Sequence, residues 1–352
     1  MILVSGIIFV YLFSNLKAES YLEVGDKCGP SNQGVCTSIM NCPEAVEKLK
    51  QRQKPSLETC GFQGRLEIVC CPSNDVQISK IPVRNSVAAC ERYSKDYPIR
   101  LQPFIINGEN ASLGEFPHMA AVGYPRNDDE IVWECGGTLI SERFVLTAAH
   151  CNVRLDGKLP SMVRLGKIDL LGDLDNATPQ DIPVEEVIVH PEYRHLTRRN
   201  DIALLRLARS AQFNDNVRAV CLNTRQDIRP GLIVLGWGVI HTETQERSRF
   251  LRRAFVEPYD LNKCNQTLLE WPSRIAVYDT QFCALSHDRI RSGTCQGDSG
   301  GPIQIQNAKD NAETPFIIVG ITSFGRGCGG RSPTIFTRIS SYLTWIEGIV
   351  WP

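Results

Sequence analysis

The chain has 352 residues, 42% of them hydrophobic, with 38 basic side chains nearly balancing 39 acidic ones. A single small module is excluded, because compact domains usually run to about 100–200 residues, and the charge balance supplies no overall attraction for nucleic acid or an anionic membrane. Fourteen cysteines point to an oxidising compartment, where thiols pair instead of remaining a liability.

In chain order, residues 2–13 read ILVSGIIFVYLF, followed by the more polar SNLKAES. The apolar run is too short to cross a bilayer comfortably. Cleavage after Ser20, with Ala18 at the other small position, makes residues 1–20 a secretory signal peptide; an uncleaved anchor is the alternative. No later apolar run reaches spanning length, so the mature chain is expected to be soluble and extracellular. Cys28, Cys36, Cys42, Cys60, Cys70 and Cys71 then crowd residues 28–71. So small a unit buries little apolar surface, and disulfides compensate by restricting its unfolded state. Spacing alone leaves their pairing open. Zinc is the rival use, but the segment has no histidine and no paired CxxC knuckles.

Residues 72–104 carry Pro72, Pro82, Pro98 and Pro103 with little periodicity, and read as a linker and activation segment with one tether, Cys90. From Ile105 onward, IVWECGGTLI, FVLTAAH, VEEVIVH, DIALLRL, GLIVLGWG, PFIIVGITSFG and TIFTRI recur between Gly, Pro, Asn and Asp. Many short strands with turn signals predict an all-β antiparallel sandwich or pair of barrels. The terminal SSYLTWIEGIV sets Tyr342, Leu343, Ile346 and Ile349 on one helical stripe, suited to packing across the outside of a barrel.

Three segments carry chemistry. LTAAHC places His150 beside Cys151, NDIALLRL places Asp201 at the mouth of an apolar strand, and TCQGDSGGP surrounds Ser299 with Gly297, Gly300 and Gly301. Removing side-chain bulk there lets backbone N–H groups approach a ligand closely. Each segment alone has a bland explanation, but together they are hard to read as a turn, a cap and a flexible loop.

With IINGENASLGEFPHMAAVG and GWG, these motifs resemble the chymotrypsin-type serine proteases over residues 105–352. The resemblance implies a double β-barrel with a C-terminal helix and the triad His150, Asp201 and Ser299. A serine hydroxyl hardly ionises at neutral pH, so His150 would take its proton during attack and return one to the leaving amine. Asp201 would orient His150, with Ser323 supporting Asp201, and the N–H groups of Gly297 and Ser299 would form the oxyanion hole. The substrate pocket would be read from Gly293, Gly325 and Thr334. Gly293 stands where trypsin-like members carry aspartate, and burying a substrate cation without its partner is unfavourable. The pocket is therefore expected to take Leu, Met, Phe or Val, unless a neighbouring acid restores arginine binding. Activation would expose the Ile105 amine to pair with Asp298, making Phe104–Ile105 the scissile bond and implying an upstream protease that accepts a bulky apolar residue.

Six cysteines ending in the adjacent pair Cys70–Cys71, then a linker and a protease, resemble the arthropod clip-domain proteases. That resemblance implies Cys28–Cys70, Cys36–Cys60 and Cys42–Cys71 in a clip domain over residues 28–71. For the rest it implies Cys135–Cys151, Cys264–Cys283 and Cys295–Cys328, with Cys90–Cys221 joining light and heavy chains. Asn110, Asn176 and Asn265 head sequons. In VRLGKIDL, Lys167 replaces the acidic ligand of calcium-binding relatives, so no cofactor is required and calcium is not expected; Asp169, Asp173 and Asp175 read as a solvated acidic loop. The implied function is a secreted zymogen endopeptidase of a haemolymph cascade in innate immunity or melanisation. Its partners would be an upstream activating protease, a downstream protease zymogen or protease homologue as substrate, and serpin-type inhibitors, with no nucleic acid and no membrane. The alternatives are a non-catalytic clip-domain cofactor homologue and a venom or digestive protease.

Overall fold

The computed structural model describes residues 26–30, 33–51, 53–63, 66–72, 83–96, 110–127, 130–152, 157–241, 244, 246–269, 276–286, 298–306, 315–325 and 332–352. The expectations for residues 1–20, Phe104, Ile105, Gly293, Cys295, Gly297 and Cys328 lie outside these. The chain divides into two units, residues 1–81 and 82–352.

The first unit is an antiparallel sheet in the order β1-β2-β4-β3, from Lys27–Cys28, Gly34–Ser38, Thr59–Gln63 and Leu66–Pro72 (β3 and β4 being the last two). Helix α1, Pro43–Lys50, starts on a proline, which suits a position whose N–H has no helical partner, and ends on Lys48 and Lys50, which complement the helix dipole. Disulfides Cys28–Cys70, Cys36–Cys60 and Cys42–Cys71 occupy its interior. The apolar company they keep is small: Ala45, Ile68 and Val69 are the other buried hydrophobics among the described residues there. Covalent restriction of the unfolded chain stands in for a core.

In the second unit, β5 (Met119–Asn127), β6 (Glu130–Leu139), β7 (Phe144–Thr147), β8 (Met162–Leu165), β9 (Gln180–Val189) and β10 (Ala203–Leu207) close a barrel in the order β10-β7-β6-β5-β8-β9. Val122, Leu139, Val145, Val163, Ile182 and Leu205 fill it. The other sheet runs β11-β18-β17-β12-β15-β16-β19, from Cys221–Leu222, Phe316–Gly325, Pro302–Gln306, Leu232–Gly236, Arg252–Tyr259, Gln281–Ser286 and Thr334–Arg338, in that order. Because β19 also pairs with β18, six strands close into a second barrel and β11 lies outside it, parallel to β18. A short ribbon, β13 (Val239–His241) and β14 (Glu246–Arg247), stands apart. A larger apolar cluster, including Met119, Leu146, Leu204, Leu235 and Ile321, joins the two barrels.

Within the stretch read as a linker, Asn85–Asp96 forms helix α2. Its buried stripe is only Ser86, Ala89, Tyr93 and Ser94, too polar to announce a helix by periodicity. Docking stabilises it instead. Cys90 is bonded to Cys221, Ser86 Oγ donates to Glu347 Oε1 at 2.6 Å, and Arg84 pairs with Glu347 at 3.0 Å. Glu347 belongs to the terminal helix α4, Leu343–Val350, which buries Leu343, Ile346 and Val350. Between them in sequence, α3 (Leu261–Leu269) is tied to β16 by Cys264–Cys283. No helix among the described residues is long and apolar enough to cross a membrane.

Candidate active site

The site lies where the ends of strands from both barrels meet. His150 sits in a single 3-10 turn, residues 149–151, directly after β7, and Cys151 is fastened to β6 by the Cys135–Cys151 disulfide. Asp201 precedes β10, whose residues pair with both β7 and β9. That pairing of β7 with β10 carries the two side chains together.

Asp201 is fully buried and every acceptor around it is used. Its Oδ1 accepts the His150 backbone N–H at 2.8 Å, and its Oδ2 is 2.8 Å from His150 Nδ1. Ser323 Oγ also donates to Oδ2, and Thr337 Oγ1 donates to the Asp201 carbonyl at 2.8 Å. Burial pushes the carboxyl up, but the charge and N–H groups of His150 and the Ser323 hydroxyl outweigh it and hold Asp201 below the ordinary carboxylate value. An ionised Asp201 accepts a hydrogen bond from Nδ1–H, which keeps the proton on Nδ1 and leaves the lone pair on Nε2 to act as base.

Ser299 reaches the same place through its backbone. Its carbonyl accepts the Gly136 N–H at 2.8 Å and lies 3.6 Å from Cys151 Sγ. No Ser299 Oγ to His150 Nε2 hydrogen bond is present among the described residues; such contacts are commonly loose before substrate binds. The next residue, Gly300, has φ +77°, and a Cβ there would collide with Thr147 Oγ1 and the Gly136 carbonyl. Glycine is thus required by both conformation and space. The neighbouring Asp298 is buried and accepts the Gly238 N–H at 2.9 Å. Side chains at Gly236 or Gly238 would occupy the space of its carboxylate, which gives the GWG motif its physical meaning.

Of the residues expected at the substrate pocket, Gly325 pairs with Thr334 across β18 and β19. A Cβ on Gly325 would stand 3.3 Å from Thr334 Oγ1, so a side chain there would crowd the threonine hydroxyl. Asn110 and Asn176 are exposed, whereas Asn265 lies half-buried on α3 with its Oδ1 accepting the Val277 N–H at 2.9 Å. Thr337 and Gly136 are contributors that motif reading misses, although the paired glycines of ECGGTL signal a close backbone approach.

The acidic loop departs from the solvated expectation, and that reading is corrected. Asp169 and the side chain of Asp175 are buried, and of the three acids only Asp173 is solvated. Lys167, itself buried, donates to Asp173 at 2.9 Å, Asp175 at 3.0 Å and the Ala177 carbonyl at 3.4 Å. Asp175 also accepts N–H groups from Ile168 and Asp169 at 2.9 Å. Hydrogen bonds from Arg249 hold Asp169 far below the ordinary carboxylate value against the opposing effect of burial. The loop carries its own cation, the Lys167 ammonium.

Residues 105–346 match the Trypsin family. Serine protease Hayan of Drosophila melanogaster is 40% identical over 76% of this chain, which spans 42% of that relative. Serine protease snk, also of Drosophila melanogaster, is 34% identical, with 95% of this chain and 84% of the relative covered. Phenoloxidase-activating factor 3 of Holotrichia diomphalia is 36% identical over 80% of this chain and 79% of its own. At 95% of this chain, the snk alignment takes in most of the disulfide-rich N-terminal unit as well as the barrels, and six disulfides among the described residues suit an oxidising extracellular compartment. The chain belongs to the trypsin family of serine proteases, among the arthropod members that carry an N-terminal clip domain.

Proposed function

We propose that the chain is a secreted zymogen that cleavage at Phe104–Ile105 converts into an endopeptidase with His150 as base, Asp201 as its orienting acid and Ser299 as nucleophile. On this reading residues 1–20 are the signal peptide, 28–71 the clip domain, 72–104 the linker and activation segment, and 105–352 the catalytic domain. The observation that carries it is the closed set of contacts around Asp201, which prepares one nitrogen of His150 to receive a proton beside the Ser299 turn. Ser299 attacks the substrate carbonyl as His150 takes its proton. The resulting oxyanion is received by the N–H groups of Gly297 and Ser299, and the imidazolium then protonates the leaving amine. The new Ile105 ammonium pairs with Asp298, whose carboxylate is housed against the GWG glycines.

Gly293, Gly325 and Thr334 form a neutral pocket for a medium or large apolar residue before the scissile bond. The protein substrate is a downstream protease zymogen or protease homologue in haemolymph. A phenoloxidase-activating factor among the relatives favours melanisation or immune signalling as the setting. An upstream protease that accepts Phe104 activates the chain, and serpin-type inhibitors restrain it. Peptides that differ only before the scissile bond test the pocket. Leucine or phenylalanine should exceed arginine in kcat/KM, whereas arginine ahead by tenfold, about 1.4 kcal/mol in transition-state stabilisation, overturns this selectivity.

A further inference from the structure

Among the described residues, Tyr124 is the largest fully buried side chain. It lies on β5, where Ala120, Val122 and Tyr124 alternate into the interior of the first barrel. Phenylalanine would fill that space with no polar atom to satisfy, whereas a phenol buried there has to find a partner for its hydroxyl. Tyr124 finds one at a specific atom: its Oη donates to the Cys151 carbonyl at 2.6 Å, within the buried interior.

Cys151 follows His150 in the 3-10 turn 149–151, and it is held twice. β6 holds its Sγ through the disulfide to Cys135, and β5 holds its carbonyl through Tyr124. One strand pair delivers both tethers, since Cys135 stands opposite Val122, two residues before Tyr124. The turn supplies little stability of its own. Cys151 N–H donates to the Ala148 carbonyl at 3.2 Å, Asn152 N–H to the Ala149 carbonyl at 2.9 Å, and Asn152 Nδ2 to the Ala148 carbonyl at 2.8 Å. A single 3-10 turn closed this way does not support itself, so its placement is set by the strands that grip it.

The backbone is pinned on either side of the imidazole. The His150 N–H donates to Asp201 Oδ1 at 2.8 Å, and the peptide that closes the turn is held through the Cys151 carbonyl. The disulfide fixes a sulfur that is two rotatable bonds from the backbone, whereas the phenol grips the peptide group itself. Tyrosine has only two side-chain torsions of its own, and close packing inside the barrel fixes both. Tyr124 is therefore a rigid strut from β5 to the residue after His150.

We propose that Tyr124 is a positioning residue for His150: its hydroxyl holds the turn so that Nδ1 keeps its contact with Asp201 and Nε2 keeps its place for the Ser299 proton. This rests on the assignment of His150, Asp201 and Ser299 as a peptide-bond-cleaving centre. Buried inside the barrel, Tyr124 reaches no substrate, so its effect on the reaction passes through His150. Without the hydroxyl, the Cys151 carbonyl loses its grip on β5 and the turn relaxes, carrying the imidazole out of line. A misplacement of about 1 Å costs on the order of a hundredfold in rate, so a partial shift costs about tenfold.

Tyr124→Phe in the activated full chain tests it, because the ring and its packing stay while the hydroxyl goes. With the best peptide substrate, kcat should fall about tenfold and KM should stay where it was. The acid limb of the kcat/KM profile should move to lower pH, since an imidazole that slips from ionised Asp201 loses the charge that favours its protonated form. The proton resonance of His150 Nδ1–H, held far downfield by Asp201, should move upfield. Tyr124→para-aminophenylalanine, which returns a donor to the same place, should recover most of the loss. Tyr93→Phe is the control: that buried phenol donates to Glu142 Oε2 at 2.9 Å, and losing it should lower the melting temperature while sparing kcat, the acid limb and the resonance. The same pattern in Tyr124→Phe, a Tyr124→Phe chain that does not fold, or no recovery with the amino variant overturns the positioning role and spares the catalytic assignment. A wild-type chain inactive after the same cleavage overturns both.

Discussion

His118 shows how one buried side chain couples the fold to pH. It is fully enclosed, its Nε2 lies 2.7 Å from Gln304 Oε1, and Phe116 and Phe316 pack around its ring. Burial lowers its pKa to about 4, despite the opposing hydrogen bond that Nε2–H donates to Gln304 Oε1. The unfolded chain takes up this proton near pH 6.5, so the stabilisation is complete above that value and is lost as pH falls toward 4. Between pH 7.5 and 5 the loss is about 2 kcal/mol. Urea titrations at the two pH values should show that loss in the native chain and a smaller one in His118→Leu; equal losses would contradict the account. The contact of His150 with Asp201 is anticipated through the resemblance of LTAAHC and NDIALL to the motifs of a known protease family. Thr337 and Gly136 are not, since a strand hydroxyl or N–H does not reveal which carbonyl it faces until register is known.

At the level of elements, strands with long apolar runs are legible. DIALLRL and GLIVLGWG supply β10 and β12, where nearly every position is buried. Others are masked by composition: β15 begins on two arginines and contains Pro258, and it becomes a strand through its pairing with β12 and β16. The 167–177 loop shows the same dependence on tertiary partners, because its acids look solvated until Lys167 is placed among them. Removing that ammonium strands a buried carboxylate, so Lys167→Met should lower stability by about 3 kcal/mol. Native Lys167 already fills the cation position. Millimolar calcium should therefore leave the wild-type melting temperature where EDTA leaves it, and a calcium-dependent rise of several degrees would contradict an internal cation. Helix α2 adds a second expectation. Glu347 holds Arg84 and Ser86 without help from the disulfide, so a cleaved C90S/C221S chain should stay associated under native conditions. Glu347→Ala should weaken that association by about 2 kcal/mol, roughly thirtyfold. Gel filtration showing the light chain free before the Glu347 change would refute the non-covalent clasp.

Across the whole molecule, two ways of making a stable unit share one chain. Residues 28–71 rely on three disulfides around a few small apolar side chains, while the double barrel has continuous cores inside each barrel and between them. Reduction under native conditions should therefore affect the first unit far more than the second. The proposed catalytic centre draws on the stronger unit: His150 and Asp201 come from the first barrel, Ser323 and Thr337 from the second, and Ser299 from the turn before β17. The most direct measurement of the central claim is peptide hydrolysis by purified chain whose heavy fragment is sequenced and found to begin IINGE. Wild type should hydrolyse peptides only after that cleavage, and Ser299→Ala, cleaved at the same bond and equally folded, should lose about ten-thousand-fold or more in kcat. Undiminished hydrolysis by the alanine variant would contradict Ser299 as nucleophile, and full activity in a chain with a different heavy-fragment start would contradict the Ile105–Asp298 activation.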